Sequence, residues 1–186
     1  MAERVCPWWM GYLLASPIRR WISQKPEELL VPYVREGMTV LEPGPGMGFF
    51  TLPLAALVGP RGRVVAVDIQ TKMLQGLRGR AQKAGVSPRI ETRLAHVDSM
   101  GLQDLKGIVD FVLAFAMVHE MPSAETFFAE AAAALRPGGV LLLAEPAGHI
   151  TPDGFEKELE AASKAGLEMV KPLEIRRSLA ALLRKA

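Results

Sequence analysis

The strand-like run Val40-Leu41-Glu42 leads directly into Pro43-Gly44-Pro45-Gly46-Met47-Gly48. Glycines at alternate positions let a backbone turn sharply and let a ligand approach without obstruction by a Cβ. If the turn opens a helix, the unbonded amides there favour an anionic group such as a phosphate or a carboxylate. Pro45 has no N–H, so the donors must come from Gly46 onward. A second strand-like run, Val64 to Val67, ends at Asp68, twenty residues beyond Gly48. An acid at that place can accept both hydroxyls of a ribose, although the same residue could cap the helix that starts near Gln70. Together the loop and the acid point to an adenosine-containing cofactor lying across the carboxyl ends of the first strands, at the switch point of a doubly wound sheet.

The glycine spacing narrows the choice of cofactor. A dinucleotide fingerprint reads G-x-G-x-x-G, whereas this chain has Glu42-x-Gly44-x-Gly46-x-Gly48. A carboxylate so close to the loop repels a pyrophosphate. Glu42 could also form an ion pair with a nearby Lys or Arg. With its leading acid, the pattern resembles the first motif of the class I S-adenosylmethionine-dependent methyltransferases, E/D-x-G-x-G-x-G. The likeness extends from about Glu36 to Lys185. Val109 to Ala116 is similar to the family's fourth strand, and Leu135-Arg-Pro-Gly-Gly-Val-Leu-Leu-Leu-Ala144 to its post-motif turn and fifth strand.

The resemblance implies S-adenosyl-L-methionine as cofactor and S-adenosyl-L-homocysteine as product. It makes Asp68 the ribose-binding acid, with Ile69 beside it, and places Asp98, followed by Ser99, against the adenine amino group. Glu42 would then suit the amino end of the methionine moiety, and the helix-start amides its carboxylate. The family often has Gly-Asp-Ala around that second acid, whereas this chain has Val97-Asp98-Ser99. Asp98 could equally cap the turn into Met100–Leu105.

Methyl transfer is an in-line displacement at a sulfonium carbon, so holding the acceptor close, aligned and dry supplies most of the acceleration. A base is needed only where the acceptor must lose a proton. His119, Glu120, Glu145 and His149 fall in the loops after the fourth and fifth strands, where parallel-sheet enzymes place chemistry. His119 is the first candidate for a catalytic base, since imidazole titrates near neutrality. Its alternative is a helix-start histidine that only meets backbone or solvent. Glu145 reads as a support for the loop. The spacing of these residues matches no metal motif, so no metal site is expected.

Several activities are disfavoured. With 22 Lys+Arg against 20 Asp+Glu, the net charge of +2 lacks the basic excess of an electrostatic nucleic-acid binder, so no nucleic-acid partner is expected. The Asn/Asp-Pro-Pro-Tyr/Phe motif of adenine and glutamine N-methyltransferases is absent; Ala114-Phe-Ala-Met117 stands near its place. Cys6 is the single cysteine, which argues against arsenite chemistry and a disulfide framework and fits a reducing, cytoplasmic setting. What remains resembles the quinone-biosynthesis C-methyltransferases and their relatives, with a small-molecule acceptor. The rival readings are a nicotinamide-dependent oxidoreductase and a non-catalytic S-adenosylmethionine-binding protein.

These residues need a scaffold. At 186 residues, with 49% apolar and 23% charged, the chain has the balance of one globular domain, 1–186. The spacing predicts an α/β fold: a Rossmann-like, doubly wound, seven-stranded sheet, mostly parallel with an antiparallel last strand. Strands are expected at Thr39–Glu42, Arg63–Ile69, Arg89–Ala95, Val109–Ala116, Val140–Glu145, Leu167–Glu174 and Ser178–Arg184. The link between the last two is too short for a crossover helix, so they should form an antiparallel hairpin. Helices are expected over Gln70–Ala84, from an Ser123 cap to Leu135, and from Pro152 to about Ala165. Residues 36–186 form the cofactor-binding core, and 1–35 a helical segment carrying Trp8, Trp9 and Trp21. That segment could close over the site as a lid, cover the sheet, or pack in a homodimer. No apolar run reaches the ~20 residues of a bilayer helix, and although the Trp8–Ala15 stretch follows Arg4, Glu3 in the would-be basic region, Pro7 and the lack of a small-x-small cleavage site argue against a signal peptide.

Overall fold

The computed structural model describes residues 25–186. Cys6, the three tryptophans and most of the expected lid lie outside the described residues. The chain divides into two compact units, the first ending at Ala95 and the second starting at His96. The fold is α/β, with a seven-stranded sheet that is mostly parallel and has antiparallel last strands.

The first unit contains α1 (Pro26–Leu30), β1 (Thr39–Pro43), α2 (Thr51–Val58), β2 (Arg63–Asp68), α3 (Thr71–Lys83) and β3 (Ile90–Leu94). Its strands run parallel, with Val40 opposite Val64 and Val65 opposite Glu91. Val40, Leu41, Val64, Val65 and Ala66 are wholly buried, as continuous apolar strands covered on both faces must be. Helix α3 buries Met73, Leu74, Leu77 and Ala81, a stripe at i, i+1, i+4 and i+8. Gly76 and Gly79 both lie inside this helix, at about 1 kcal/mol each relative to Ala. At Gly76 the reason is packing, because a Cβ there would sit 3.0 Å from the Met47 side chain of the glycine loop. At Gly79 nothing in the structure explains the glycine.

The second unit holds β4 (Val109–Phe115), α4 (Ala124–Ala134), β5 (Leu135–Pro146), α5 (Pro152–Lys164), β6 (Leu167–Pro172) and β7 (Ser178–Lys185). Strands β4 and β5 are parallel, while β7 runs antiparallel to both β5 and β6. The closing hairpin thus has the expected sense. Ser123 caps α4, its hydroxyl accepting the Thr126 N–H at 3.1 Å. Thr151 does the same for α5 through the Gly154 N–H at 3.1 Å.

Two boundaries differ from expectation. Helix α4 stops at Ala134, and Leu135 turns extended (φ −60°, ψ 138°) to pair with Val109. Strand β5 therefore starts five residues before Val140, and the register with β4 shifts between Val109 and Phe111 to absorb Arg136-Pro-Gly-Gly139. A proline and two glycines look like a helix stop in one dimension. In the sheet they form an irregularity inside a strand.

The three loop glycines are not equivalent. Gly44, Gly46 and Gly48 all have left-handed φ, at 66°, 54° and 88°. A Cβ on Gly46 would meet nothing within 4 Å, whereas one on Gly48 would lie 2.6 Å from Leu77 Cδ1 on α3. Gly46 leaves open space above the loop, and Gly48 lets the loop settle on the helix. Gly46→Ala should cost only the left-handed backbone penalty, about 1 kcal/mol. Gly48→Ala should add an overpacking cost of roughly 1–3 kcal/mol. Urea unfolding of the two variants side by side should place the Gly48 midpoint clearly lower.

Candidate functional site

In the first unit the candidate residues gather at the carboxyl ends of β1 and β2. Glu42, at the end of β1, is 3% exposed, and its Oε2 is buried without a hydrogen-bond partner among the described residues. Thr51 Oγ1, in the first turn of α2, is also buried. Burial pushes the Glu42 carboxyl up to about 8, the Thr51 hydroxyl pulls against that, and the negative charge of Asp68 adds to it. No cation offsets the charge, so the ion pair weighed from sequence does not form among the described residues. An orphaned acid oxygen beneath a glycine turn is an acceptor that a bound ammonium group, donating its N–H, completes.

Asp68 ends β2 and is nearly buried; its Oδ1 accepts the Gln70 N–H at 2.8 Å. This bond closes the turn into α3, whose N-cap, Gln70, makes no side-chain cap bond. Asp68 thus shapes the strand-to-helix turn without being the helix cap. Ile69, next to it, is 44% exposed, an apolar surface beside the acid. The glycine loop is fixed from α3 as well, where the Arg80 guanidinium donates to the Met47 carbonyl at 3.0 Å.

In the second unit, Asp98 and Ser99 lie in a tight turn closed by His96 N–H donating to the Ser99 carbonyl at 3.0 Å. The chain leaving it is held by Ser99 Oγ, which accepts the Gly101 N–H at 3.1 Å, and by Glu130, which accepts the Met100 N–H at 2.7 Å. The capping considered for Asp98 is supplied by these two residues. Asp98 is exposed and shares with Ser99, Met100, Met121, Phe127 and Glu130 the lining of an open cleft of about 80 Å³.

The second group forms where β4 and β5 end. Glu145, the penultimate residue of β5, is wholly buried. Its Oε1 accepts the N–H groups of Met117 at 3.2 Å and Val118 at 2.8 Å, and its Oε2 bonds His119 Nδ1. His119 follows β4 in the short turn Val118–Glu120. Its pKa is raised, chiefly by the hydrogen bond to Glu145, with burial opposing. On the other side of the ring, His119 Nε2 lies 3.3 Å from His149 Nδ1, the two rings nearly perpendicular at 81°. Glu120 Oε1 stands 3.9 Å from the same Nε2. The structure therefore brings all four sequence candidates together, with Glu145 tying the turn as well as the imidazole.

Sequence reasoning missed Glu158. It lies on the buried stripe of α5 with Phe155, Ala161 and Ala162, and its Oε2 has no partner. Burial pushes it up to about 8, helped by the charge of Glu145 and opposed by that of His119. The signal was legible: one acid on the apolar face of an amphipathic helix. Among the described residues, no group of three or more His, Cys, Asp or Glu is arranged to hold a metal ion.

Comparison with known proteins gives this arrangement a context. A family model described as a methyltransferase domain matches residues 34–182. A ribosomal protein L11 methyltransferase of Pelotomaculum thermopropionicum is 37% identical over 114 residues, 61% of this chain and 34% of that protein. A ubiquinone/menaquinone biosynthesis C-methyltransferase of Hahella chejuensis is 33% identical over 112 residues, 60% of this chain and 44% of that protein. The chain thus spans less than half the length of these curated relatives. A crystal structure of an S-adenosylmethionine-dependent methyltransferase from Aquifex aeolicus superposes with a TM-score of 0.86, covering 98% of this chain and all of that one at 23% identity, a likeness of fold. The chain belongs to the methyltransferase-domain family, within the class I S-adenosylmethionine-dependent methyltransferases.

The unpartnered acid makes a prediction about stability. Because the folded protein holds the Glu42 proton more tightly than the unfolded chain, stability is highest near and below the ordinary value of 4.5 and falls as pH rises toward about 8. Glu158 contributes a slope of the same sign in the same window. Glu42→Gln should therefore flatten, not abolish, the loss of stability between pH 5 and pH 8. Each tenfold difference in proton affinity between the folded and unfolded chain is worth about 1.4 kcal/mol, so the two slopes should be readily told apart. Urea unfolding at the two pH values checks it. Equal slopes in variant and wild type would show that the carboxyl is solvated.

Proposed function

We propose that this protein transfers a methyl group from S-adenosylmethionine to a small-molecule acceptor. The observation that carries the reading is the buried, unpartnered carboxyl of Glu42 at the head of the Gly44-Gly46-Gly48 loop, in a chain belonging to the methyltransferase-domain family. S-adenosylmethionine supplies an electrophilic methyl group on a sulfonium, together with an ammonium, a carboxylate, a ribose and an adenine for recognition. An arriving ammonium favours the ionised form of Glu42 and pairs with the carboxylate it creates. The open side of Gly46 lets the methionine moiety lie against backbone. Asp68 serves the ribose, while the exposed face of Ile69 offers apolar contact for a purine. Asp98 and Ser99, on their cleft, are suited to the adenine edge.

A small acceptor fits the near-neutral charge of +2, which gives a polyanion little to hold. One matched relative is named for quinone biosynthesis and another for a ribosomal protein, so kinship alone leaves the acceptor open. The chain offers His119 for an acceptor that must lose a proton. A hydride-transfer reading has no feature in its favour: the loop spacing is Gly44-x-Gly46-x-Gly48, not the G-x-G-x-x-G of a dinucleotide turn.

Calorimetric titration with S-adenosylhomocysteine and, separately, NAD(H) tests the proposal. S-adenosylhomocysteine should bind in the micromolar range, and Asp68→Ala should weaken it at least tenfold, on the order of 1.4 kcal/mol. NAD(H) should give no heat. Binding of NAD(H) alone would overturn the reading. Tight S-adenosylhomocysteine binding without methylation of any acceptor would instead favour a binding protein.

A further inference from the structure

The hydrogen bonds around His119 fix which nitrogen is available, and that atom faces another residue. Glu145 is wholly buried and takes two backbone N–H groups on Oε1, which leaves Oε2 to hold the Nδ1 side of His119. A buried carboxylate is an acceptor only, so the neutral His119 ring carries its proton on Nδ1 and its lone pair on Nε2. That lone pair points to Nδ1 of His149, 3.3 Å away. For the contact to be a hydrogen bond, His149 must hold its own proton on Nδ1. Its remaining nitrogen, Nε2, then carries the outermost lone pair of the chain. The two rings differ in exposure as this order requires: the His119 side chain is 14% accessible, whereas His149 is exposed on the loop after β5.

We propose that His149 is the catalytic base that meets the acceptor, that His119 relays its proton, and that Glu145 is the positioning residue that holds His119. The acceptor is then a molecule whose reacting atom bears an ionisable hydrogen, a phenolic or enolic hydroxyl. This deepens the methyltransferase reading and rests on it. His149 Nε2 takes the hydroxyl proton while His149 Nδ1 passes its own to His119 Nε2, leaving a His119 imidazolium against the Glu145 carboxylate. An oxygen lone pair forms the new oxygen–carbon bond as the methyl carbon–sulfur bond breaks, and that bonding pair stays on sulfur in S-adenosylhomocysteine. The proton returns by the same path and leaves to solvent from His149. The neighbouring charges favour the imidazolium. Glu120 stands 3.9 Å from His119 Nε2, and Glu158 of α5 adds negative potential when ionised.

Two measurements test this, one without any acceptor. With three histidines in the chain, long-range 1H–15N spectra can assign each imidazole tautomer. His149 should be in the Nδ1–H form, the minor one for free histidine, and should revert to Nε2–H in His119→Ala. An Nε2–H form of His149 in the wild type would overturn the relay. The second measurement uses catechol and acetylacetone as hydroxyl and enol probes, aniline as the amine control, and S-adenosylhomocysteine binding as the check on the fold. His149→Gly should bind S-adenosylhomocysteine as the wild type does and lose roughly 10²-fold or more in methylation of catechol or acetylacetone. Added imidazole should restore part of it. Unchanged turnover in His149→Gly, or turnover of aniline alone, would overturn the inference, as would failure to methylate either hydroxyl probe with S-adenosylhomocysteine bound normally. Failure of the wild type to bind S-adenosylhomocysteine would instead overturn the methyltransferase reading itself.

Discussion

A wholly buried carboxylate must be neutralised or it costs the fold several kcal/mol. Glu145 meets that demand with two backbone N–H groups and one imidazole. Those bonds pin the end of β4 to the end of β5, set the Val118–Glu120 turn and select the tautomer of His119. Had the acid been paired with an Arg, the loop after β4 would be held as well, but no imidazole lone pair would be aimed outward.

Glu42 and Glu158 show the opposite solution. Both are buried, both leave an oxygen unpartnered, and both are pushed up to about 8. A natural structure carries few such groups, and each needs a reason. For Glu42 the reason is its place: it is the penultimate residue of β1, just before a loop whose glycines keep Cβ atoms away. That loop is itself over-determined, by Gly48 seated on Leu77, by Gly76 making room for Met47, and by Arg80 bonding the Met47 carbonyl. A loop held this firmly can keep an acid uncompensated until a cation arrives. Preorganisation of this kind lowers the ordering cost of binding.

How far the sequence foretells this varies by feature. Continuous apolar runs such as Val64–Val67 and Phe111–Ala114 announce buried parallel strands, and the Ser123 cap lies one residue before its helix. The start of β5 was hidden because Pro137, Gly138 and Gly139 carry a strong local stop signal that pairing with Val109 overrides. The roles of the loop acids were only half legible. Spacing places Asp68 at a strand end, but its bond to the Gln70 N–H depends on the turn that follows. Glu158 was legible as an acid on the apolar face of its helix, whereas the His119–His149 contact was not, since it joins residues 30 apart through two loops whose geometry no periodicity encodes.

The distribution of backbone strain points the same way. Among the described residues, the non-glycine residues with left-handed φ are Ala116 at 56° and Arg177 at 58°. Each such conformation costs about 1–2 kcal/mol. Both lie at one end of the second unit. Ala116 follows β4 and donates its N–H to Ala144 at 2.7 Å, one residue before Glu145. Arg177 precedes β7 and accepts the Ala147 N–H at 3.0 Å, two residues before His149. The strained positions thus bracket the histidine pair through the backbone on either side of Glu145. Strain of this sort persists where surrounding structure over-determines it, and it concentrates where groups must be held in one geometry. Each strained residue is hydrogen-bonded to the chain that flanks Glu145, Ala116 at Ala144 and Arg177 at Ala147.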